Sequence, residues 1–175
     1  METEAKILLG RRGLKKVKEK LGSFFCFDYE QKSFIYDLKN GFLRIRNEPG
    51  KAVLTFKGKR NLKDKLNCRE ELNFEFSQHE YDYIPHLKKL VDLLGFKETL
   101  SYTKKRVDYT ADLYKLNTCQ IFLDSLPNGQ QYIEIEGSKE NIYKNIEALG
   151  LKGRPIEKRS YQEILKAWKL ENKNG

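Results

Sequence analysis

Two pairs of carboxylates stand at the spacing a β-strand needs to aim both members one way: Glu2 with Glu4, and Glu134 with Glu136. Strand side chains alternate faces with a period of two. Cations keep the same alternation at Lys6, Arg44, Arg46, Lys57, Lys59, Arg69, Lys104 and Arg106, and further anions do so at Glu71, Glu75 and Asp124. Carboxylate oxygens are the hard ligands that Mg²⁺ and Mn²⁺ prefer. The cations would in turn suit an anionic group such as a triphosphate, which brings about four negative charges. Behind these charges the strands are apolar, at Ile7, Ile45, Phe56, Leu72, Val107, Leu123, Ile133 and Ile135.

Two arrangements produce this pattern. The polar faces can meet bulk water while the apolar faces meet helices, as in many antiparallel sheets. Alternatively, the sheet closes into a barrel with its charges inward. About eight strands leave room inside for side chains or one small ligand. Enclosed ions need counter-charges, because each uncompensated one costs several kcal/mol.

The elements that must position these residues follow from periodicity and turn signals. Gly10 ends the first strand, and Gly13–Leu21 is an amphipathic helix stopped by Gly22. Residues 23–36 read as strand, Asn40-Gly41 as a tight turn, and residues 42–46 and 51–59 as a hairpin around Pro49-Gly50. Residues 66–76 form an alternating strand with Leu66, Cys68, Leu72, Phe74 and Phe76 on its apolar face. Ser77, with Glu80 three residues on, predicts the cap of a helix to about Leu94, burying Tyr83, Ile84, Leu87, Leu90, Val91 and Leu94. Pro85 would kink that helix or delay its start. Residues 96–102, 103–113, 118–123 and 130–137 read as strands. Helices follow from Ser138 to near Gly150 and from Ser160 to about Leu170. The sum is about eight strands in two groups of four, joined by short turns that imply antiparallel pairing.

The 175 residues suit a single domain. The formal net charge of +9 points to an anionic partner. No apolar run approaches the roughly 18 residues of a membrane span. A charged strand from residue 2 leaves no signal-peptide pattern. Cys26, Cys68 and Cys119 lack metal-ligand spacing and read as reduced thiols, so the expected location is cytoplasmic. His79 and His86 share no cysteine motif, which disfavours zinc. A non-catalytic nucleic-acid-binding barrel is disfavoured because Phe56, Phe74 and Phe76 fall opposite the charges rather than among them.

Glu2-Thr3-Glu4-Ala5-Lys6 resembles the Glu-x-Glu-x-Lys signature of the CYTH superfamily, the triphosphate tunnel metalloenzymes. In order there follow Leu43-Arg44-Ile45-Arg46, Leu54-Thr55-Phe56-Lys57-Gly58, Arg69-Glu70-Glu71, Lys104-Lys105-Arg106, Leu123-Asp124 and Tyr132-Ile133-Glu134-Ile135-Glu136. The closing Arg159-Ser160-Tyr161-Gln162-Glu163-Ile164-Leu165 is most similar to the class IV adenylate cyclase branch.

The resemblance implies one CYTH domain over residues 1–175: an α+β fold whose closed eight-stranded antiparallel β-barrel forms a charged tunnel flanked by helices. It implies Mg²⁺ or Mn²⁺ on Glu2, Glu4 and Glu134, with Glu136 and Glu71 as candidates for a second ion. Lys6, Arg44, Arg46, Lys57, Lys59, Arg69, Lys104 and Arg106 would bind the triphosphate. Lys6, Arg106 and Asp124 would serve the catalytic step. The activity it implies first is class IV adenylate cyclase, ATP to cyclic AMP and pyrophosphate. The alternative is hydrolysis of tripolyphosphate, thiamine triphosphate or a nucleoside triphosphate. A homodimer is a further implication. One departure stands out: where the family often has Gln-x-Asp-x-Tyr, this chain keeps Gln31 but has Ser33 and Ile35.

Overall fold

The computed structural model describes residues 2–22, 24, 26–61, 65–78, 81–109 and 118–172. Among them run nine strands and four helices: β1 (Glu2–Leu9), α1 (Arg11–Leu21), β2 (Phe27–Leu38), β3 (Gly41–Glu48), β4 (Lys51–Gly58), β5 (Asn67–Arg69), β6 (Glu71–Ser77), α2 (Ile84–Leu93), β7 (Glu98–Asp108), β8 (Gln120–Ser125), β9 (Gln131–Glu136), α3 (Lys139–Ala148) and α4 (Tyr161–Glu171).

The fold is α+β, and the strands form an antiparallel sheet in the order β5-β1-β9-β8-β7-β2-β3-β4-β6. The strand count differs from the expected eight: the hydrogen-bonded order has nine strands among the described residues, with β5 and β6 as its ends. The extra strand arises because the segment expected as one strand over 66–76 changes partner at Glu70. Its first part, β5, lies beside β1, and its second, β6, beside β4. The two strands expected over 96–113 are instead the single β7, since no Gly, Pro or Asn interrupts residues 98–108. The expected strand residues 110–113 lie outside the described residues.

The chain divides into two compact units, Met1–Tyr29 with Arg60–Cys68 and Lys105–Lys158, and Glu30–Lys59 with Arg69–Lys104 and Arg159–Gly175. In the first, the apolar faces of β1, β9 and β8 meet in register, with Ala5 opposite Ile135 and Ile7 opposite Ile133. Ile7, Ile121, Ile133 and Ile135 are at most 1% exposed and share a core with Val17 and Leu21 of α1 and Ile142 of α3. Each such side chain contributes about 1.5–3 kcal/mol by leaving water. α1 starts at Arg11 rather than Gly13, because Gly10 serves as N-cap and its carbonyl accepts from Leu14 N–H at 2.9 Å.

In the second unit, β2, β3, β4 and β6 form a meander closed by the turns at 39–40 and 49–50. Gly41 has φ +144°, and a Cβ there would lie 2.1 Å from the Lys57 carbonyl oxygen, so only glycine fits beside β4. Phe34, Tyr36, Ile45 and Ala52 pack with Ile84, Leu87 and Val91 of α2.

α2 begins at Ile84, not at Ser77, which ends β6. Asp82 Oδ1 accepts from Ile84 N–H at 3.0 Å, and Pro85 occupies the first turn, where a missing N–H costs nothing. Glu80, the other half of the expected cap, lies outside the described residues. Leu90 and Leu94, expected in the core, are 50% and 63% exposed, and Leu72 and Phe74 of β6 are 53% and 52% exposed. α4 opens with the expected Ser160. Its hydroxyl accepts from Glu163 N–H while the Glu163 carboxylate accepts from Ser160 N–H at 2.6 Å, a reciprocal capping box.

Candidate active site

The charged strand faces divide between the two units. In the first, antiparallel register makes three rows across the sheet. Glu4 lies opposite Glu136, Lys6 opposite Glu134, and Asp124 opposite both Tyr132 and Arg106. Glu2, Glu4 and Glu136 each bring one carboxylate oxygen within 4.8 Å of the other two. Like charges directly opposite one another in a sheet repel, and Glu4 is only 4% exposed. Lys6 Nζ lies 3.4 Å from Glu4 Oε1 and 3.7 Å from Glu134 Oε1, so one ammonium serves two carboxylates. Three converging carboxylates, Glu4 buried and Glu2 and Glu136 partly exposed, match the oxygen donor set of Mg²⁺ or Mn²⁺. On this chemistry the residues present fit a divalent cation.

Arg106 forms the other half of this face. Its Nε and Nη2 donate to the two Asp124 oxygens at 2.7 and 2.6 Å, and Nη2 also donates to Glu134 Oε2 at 2.5 Å. The guanidinium carbon sits 3.8 Å from the centre of the Phe122 ring. Burial alone would lower the Arg106 pKa, but Asp124, Glu134 and Glu136 outweigh it and raise it well above the ordinary value. Arg106 is therefore a fixed positive charge. Asp124, 1% exposed, is held by a bidentate fork.

Asn67 belongs to the same group, although its type gave no reason to include it among the charges. Its Nδ2 donates to Glu4 Oε1 at 3.3 Å and to the Glu157 carbonyl at 3.0 Å. The available signal was its even spacing with Arg69 and Glu71 on one alternating segment.

The second unit carries most of the cations. Ile35 lies opposite Arg44, Arg44 opposite Thr55 and Thr55 opposite Asn73. Phe42 lies opposite Lys57 and Lys57 opposite Glu71. Lys57 Nζ is 2.6 Å from Glu71 Oε2, and Arg44 Nη2 is 3.9 Å from Glu71 Oε1 and 3.5 Å from Thr55 Oγ1. Arg46 pairs with Glu48 at 2.5 Å, and Gln31 Nε2 donates to Glu48 Oε1 at 2.8 Å. Arg69 lies 5.6 Å from the Phe42 ring centre and Lys104 4.9 Å from that of Tyr161. Aromatic faces attract cations through the ring quadrupole.

Thus Glu2, Glu4, Lys6, Arg106, Asp124, Glu134 and Glu136 come together in one unit. Arg44, Arg46, Arg69, Glu71, Lys57 and Lys104 lie in the other. The three-carboxylate cluster contains Glu136 where the expected first set had Glu134, whose neighbours are Arg106 and Lys6. Glu71 is engaged by Lys57 and Arg44. Lys59 lies beyond the end of β4 and is exposed. Ser33 and Ile35 are both 1% exposed, opposite Arg46 and Arg44.

Residues 1–161 match the family model of the CYTH domain, and the chain belongs to that family of triphosphate-acting enzymes. No curated protein matches it. Among solved structures, a protein of Pyrococcus horikoshii is 28% identical, with a TM-score of 0.73 over 93% of this chain and 98% of that one. A conserved hypothetical protein of Pyrococcus furiosus is 26% identical, with a TM-score of 0.74 over 93% and 99%. An adenylyl cyclase candidate of Hippeastrum, described as having a dominant triphosphatase activity, is 18% identical, with a TM-score of 0.70 over 95% and 96%, and is similar in fold. No helix among the described residues is long and apolar enough to cross a membrane.

Proposed function

We propose that this chain is a divalent-cation-dependent enzyme that hydrolyses a triphosphate. The observation that carries the reading is the convergence of Glu2, Glu4 and Glu136 on one point beside Lys6. Glu2, Glu4 and Glu136 would hold the cation. When bound, Mg²⁺ or Mn²⁺ supplies charge stabilisation to the transferred phosphoryl group. Glu134 and Glu71 are further candidate ligands should a second ion bind.

Lys6 holds its ammonium beside the carboxylates, where it can bind a phosphoryl oxygen. The family resemblance implies further phosphate contacts at Arg44, Arg46, Lys57, Arg69 and Lys104, and positioning plus charge is most of what phosphoryl transfer asks of a protein. Arg106 orients Glu134 and Asp124 rather than moving a proton, since its guanidinium stays charged.

Cyclisation of ATP is the second reading, favoured by the Arg159–Leu165 tail. Two observations weigh against placing it first. Asp124 is occupied by the Arg106 fork. Ser33 and Ile35 remove an acid and a phenol from the charged face where the family often uses them. The closed tunnel is also part of this proposal, and its support lies in the chain itself: β5 and β6, the ends of the strand order, are separated in sequence by Glu70 alone.

The test is incubation with tripolyphosphate, thiamine triphosphate and ATP, each with Mn²⁺ or Mg²⁺. Release of phosphate without cyclic AMP supports hydrolysis. Cyclic AMP and pyrophosphate from ATP move the cyclase reading to first place. No turnover of any of these substrates with either metal overturns both.

A further inference from the structure

α1 carries six cations, Arg11, Arg12, Lys15, Lys16, Lys18 and Lys20, against one acid, Glu19. Its eleven residues thus hold +5 of the chain's formal +9. The helices α3 and α4 are of similar length, and each balances two cations with two acids. On α3 Lys144 pairs with Glu140 at 2.7 Å, and just beyond it Lys152 pairs with Glu147 at 2.6 Å. On α1 Lys15 stands 4.0 Å from Glu19, and Lys20 donates to the Ala148 carbonyl at 2.5 Å. Arg11, Arg12, Lys16 and Lys18 form no ion pair among the described residues.

Local rules count against this arrangement. Like charges repel at i, i+4, as in Arg11/Lys15, Arg12/Lys16 and Lys16/Lys20. Arg11 and Arg12 stand in the first turn, where the helix dipole favours anions, and Gly10 offers the N-terminus no side-chain cap. Sequences break several such rules together where function requires it.

Val17 and Leu21 are fully buried in the core with Ala5, Ile7 and Ile142 and take up the apolar side of the helix. α1 therefore covers the apolar face of β1, the reverse of the face that carries Glu2, Glu4 and Lys6. The remaining arc, about 200° at 3.6 residues per turn, holds all seven charges and no apolar side chain. Arg11, Lys15 and Lys18, with Leu14 and Glu19, line an open groove of about 500 Å³ along it.

The polyanions differ in what they ask of such a surface. A bilayer takes up a helix through its apolar side as well as its charge, and α1 has no apolar side left to insert. Single strands need aromatic rings to stack their bases, and α1 has none. A duplex backbone needs only cations. It presents one charge per about 1.7 Å, so a helix about 16 Å long lies along more phosphates than it has cations.

We propose that α1 is a docking surface for the phosphate backbone of a nucleic-acid duplex, engaged without reading its sequence. This surface is separate from the carboxylate cluster and does not depend on the reading of that cluster.

The test is fluorescence anisotropy of a labelled DNA duplex of random sequence, titrated with the full chain over a range of salt concentrations. Five cations, leaving out Lys20, should give a slope of log K against log salt of about −4 to −5. In Arg12→Gln/Lys15→Gln/Lys16→Gln the slope should shrink by about three, and affinity at about 50 mM salt should fall at least about tenfold. The variant should melt no lower than the native chain, because it loses like-charge pairs, so lost binding is not lost folding. The control Lys139→Gln/Lys144→Gln/Lys152→Gln removes the same charge from around α3 and should bind within about twofold of native. A native chain that does not bind the duplex overturns the proposal, as does an α1 variant within about twofold of native. Equal losses in the two variants also overturn it, since net charge alone would then explain binding. Tighter native binding to vesicles of anionic phospholipid than to the duplex, lost in the α1 variant, would make the helix a membrane contact instead.

Discussion

Arg106 grips Asp124 through two charge-assisted hydrogen bonds, 2.7 and 2.6 Å long, and reaches Glu134 with a third. All three residues are at most 6% exposed, so the cluster stands or falls as a unit. Arg106→Gln leaves two carboxylates buried without their main partner. The expected loss is about 3–5 kcal/mol of stability, read as a lowered urea midpoint. The double variant Arg106→Gln/Asp124→Asn should recover part of it, because it removes one of the stranded charges. Equal stability of the single and double variants would show that the pair is not coupled.

Glu4 and Glu136 make the opposite prediction. They are like charges in direct register, so Glu4→Gln relieves a repulsion. In EDTA the variant should melt at the same temperature as the native chain or higher. Its turnover of tripolyphosphate with Mn²⁺ should fall at least about a hundredfold, since two to three kcal/mol of charge stabilisation goes with the ligand. Full activity in Glu4→Gln would remove the carboxylate cluster from the mechanism.

Lys57 faces Glu71 at 2.6 Å in the second unit. Replacing Lys57 alone takes the nearer of two cations from Glu71, so the informative variant is Lys57→Met/Glu71→Gln, which removes both charges. KM for tripolyphosphate should rise about tenfold to a hundredfold, matching one lost charge-assisted contact of about 1.5–3 kcal/mol. The dependence of KM on salt should flatten. An unchanged KM would show that Lys57 does not meet the substrate.

Tyr36 gives a prediction in pH. Its phenol is fully buried, and burial, reinforced by Glu98 and Asp92, raises its pKa from 10.0 to about 12. Below pH 10 both the folded and unfolded chains keep the proton, so the contribution to stability is intact. Between about pH 10 and 12 the unfolded chain ionises first, and stability falls as pH rises. Tyr36→Phe should flatten that part of the alkaline unfolding curve. Superimposable curves for the two proteins would show that another group controls it.

Alternation made much of this legible in the chain. Ile7, Ile133 and Ile135 lie where a period of two puts them, and in β1, β8 and β9 the charges fall on the opposite face. Ser160 and Glu163 are a local capping pair, and the helix they open runs as expected because caps act within one turn. The misreadings came where a distant partner decides. Leu72 and Phe74 alternate correctly yet stay half exposed, because alternation names a face without naming what covers it.

The sequence by itself determined the residue types, their two-residue spacing and hence which charges share a face of one strand. It also determined the family, whose motifs are ordered along most of the chain. The tertiary structure decided which carboxylates meet. Register, set by the pairing of β1 with β9, puts Glu136 rather than Glu134 opposite Glu4. Arg106 then takes Glu134, and Asn67 reaches Glu4 from 63 residues away. Spacing along a strand is fixed by local geometry, but which residue lies across from it depends on hydrogen bonds formed between segments far apart in the chain.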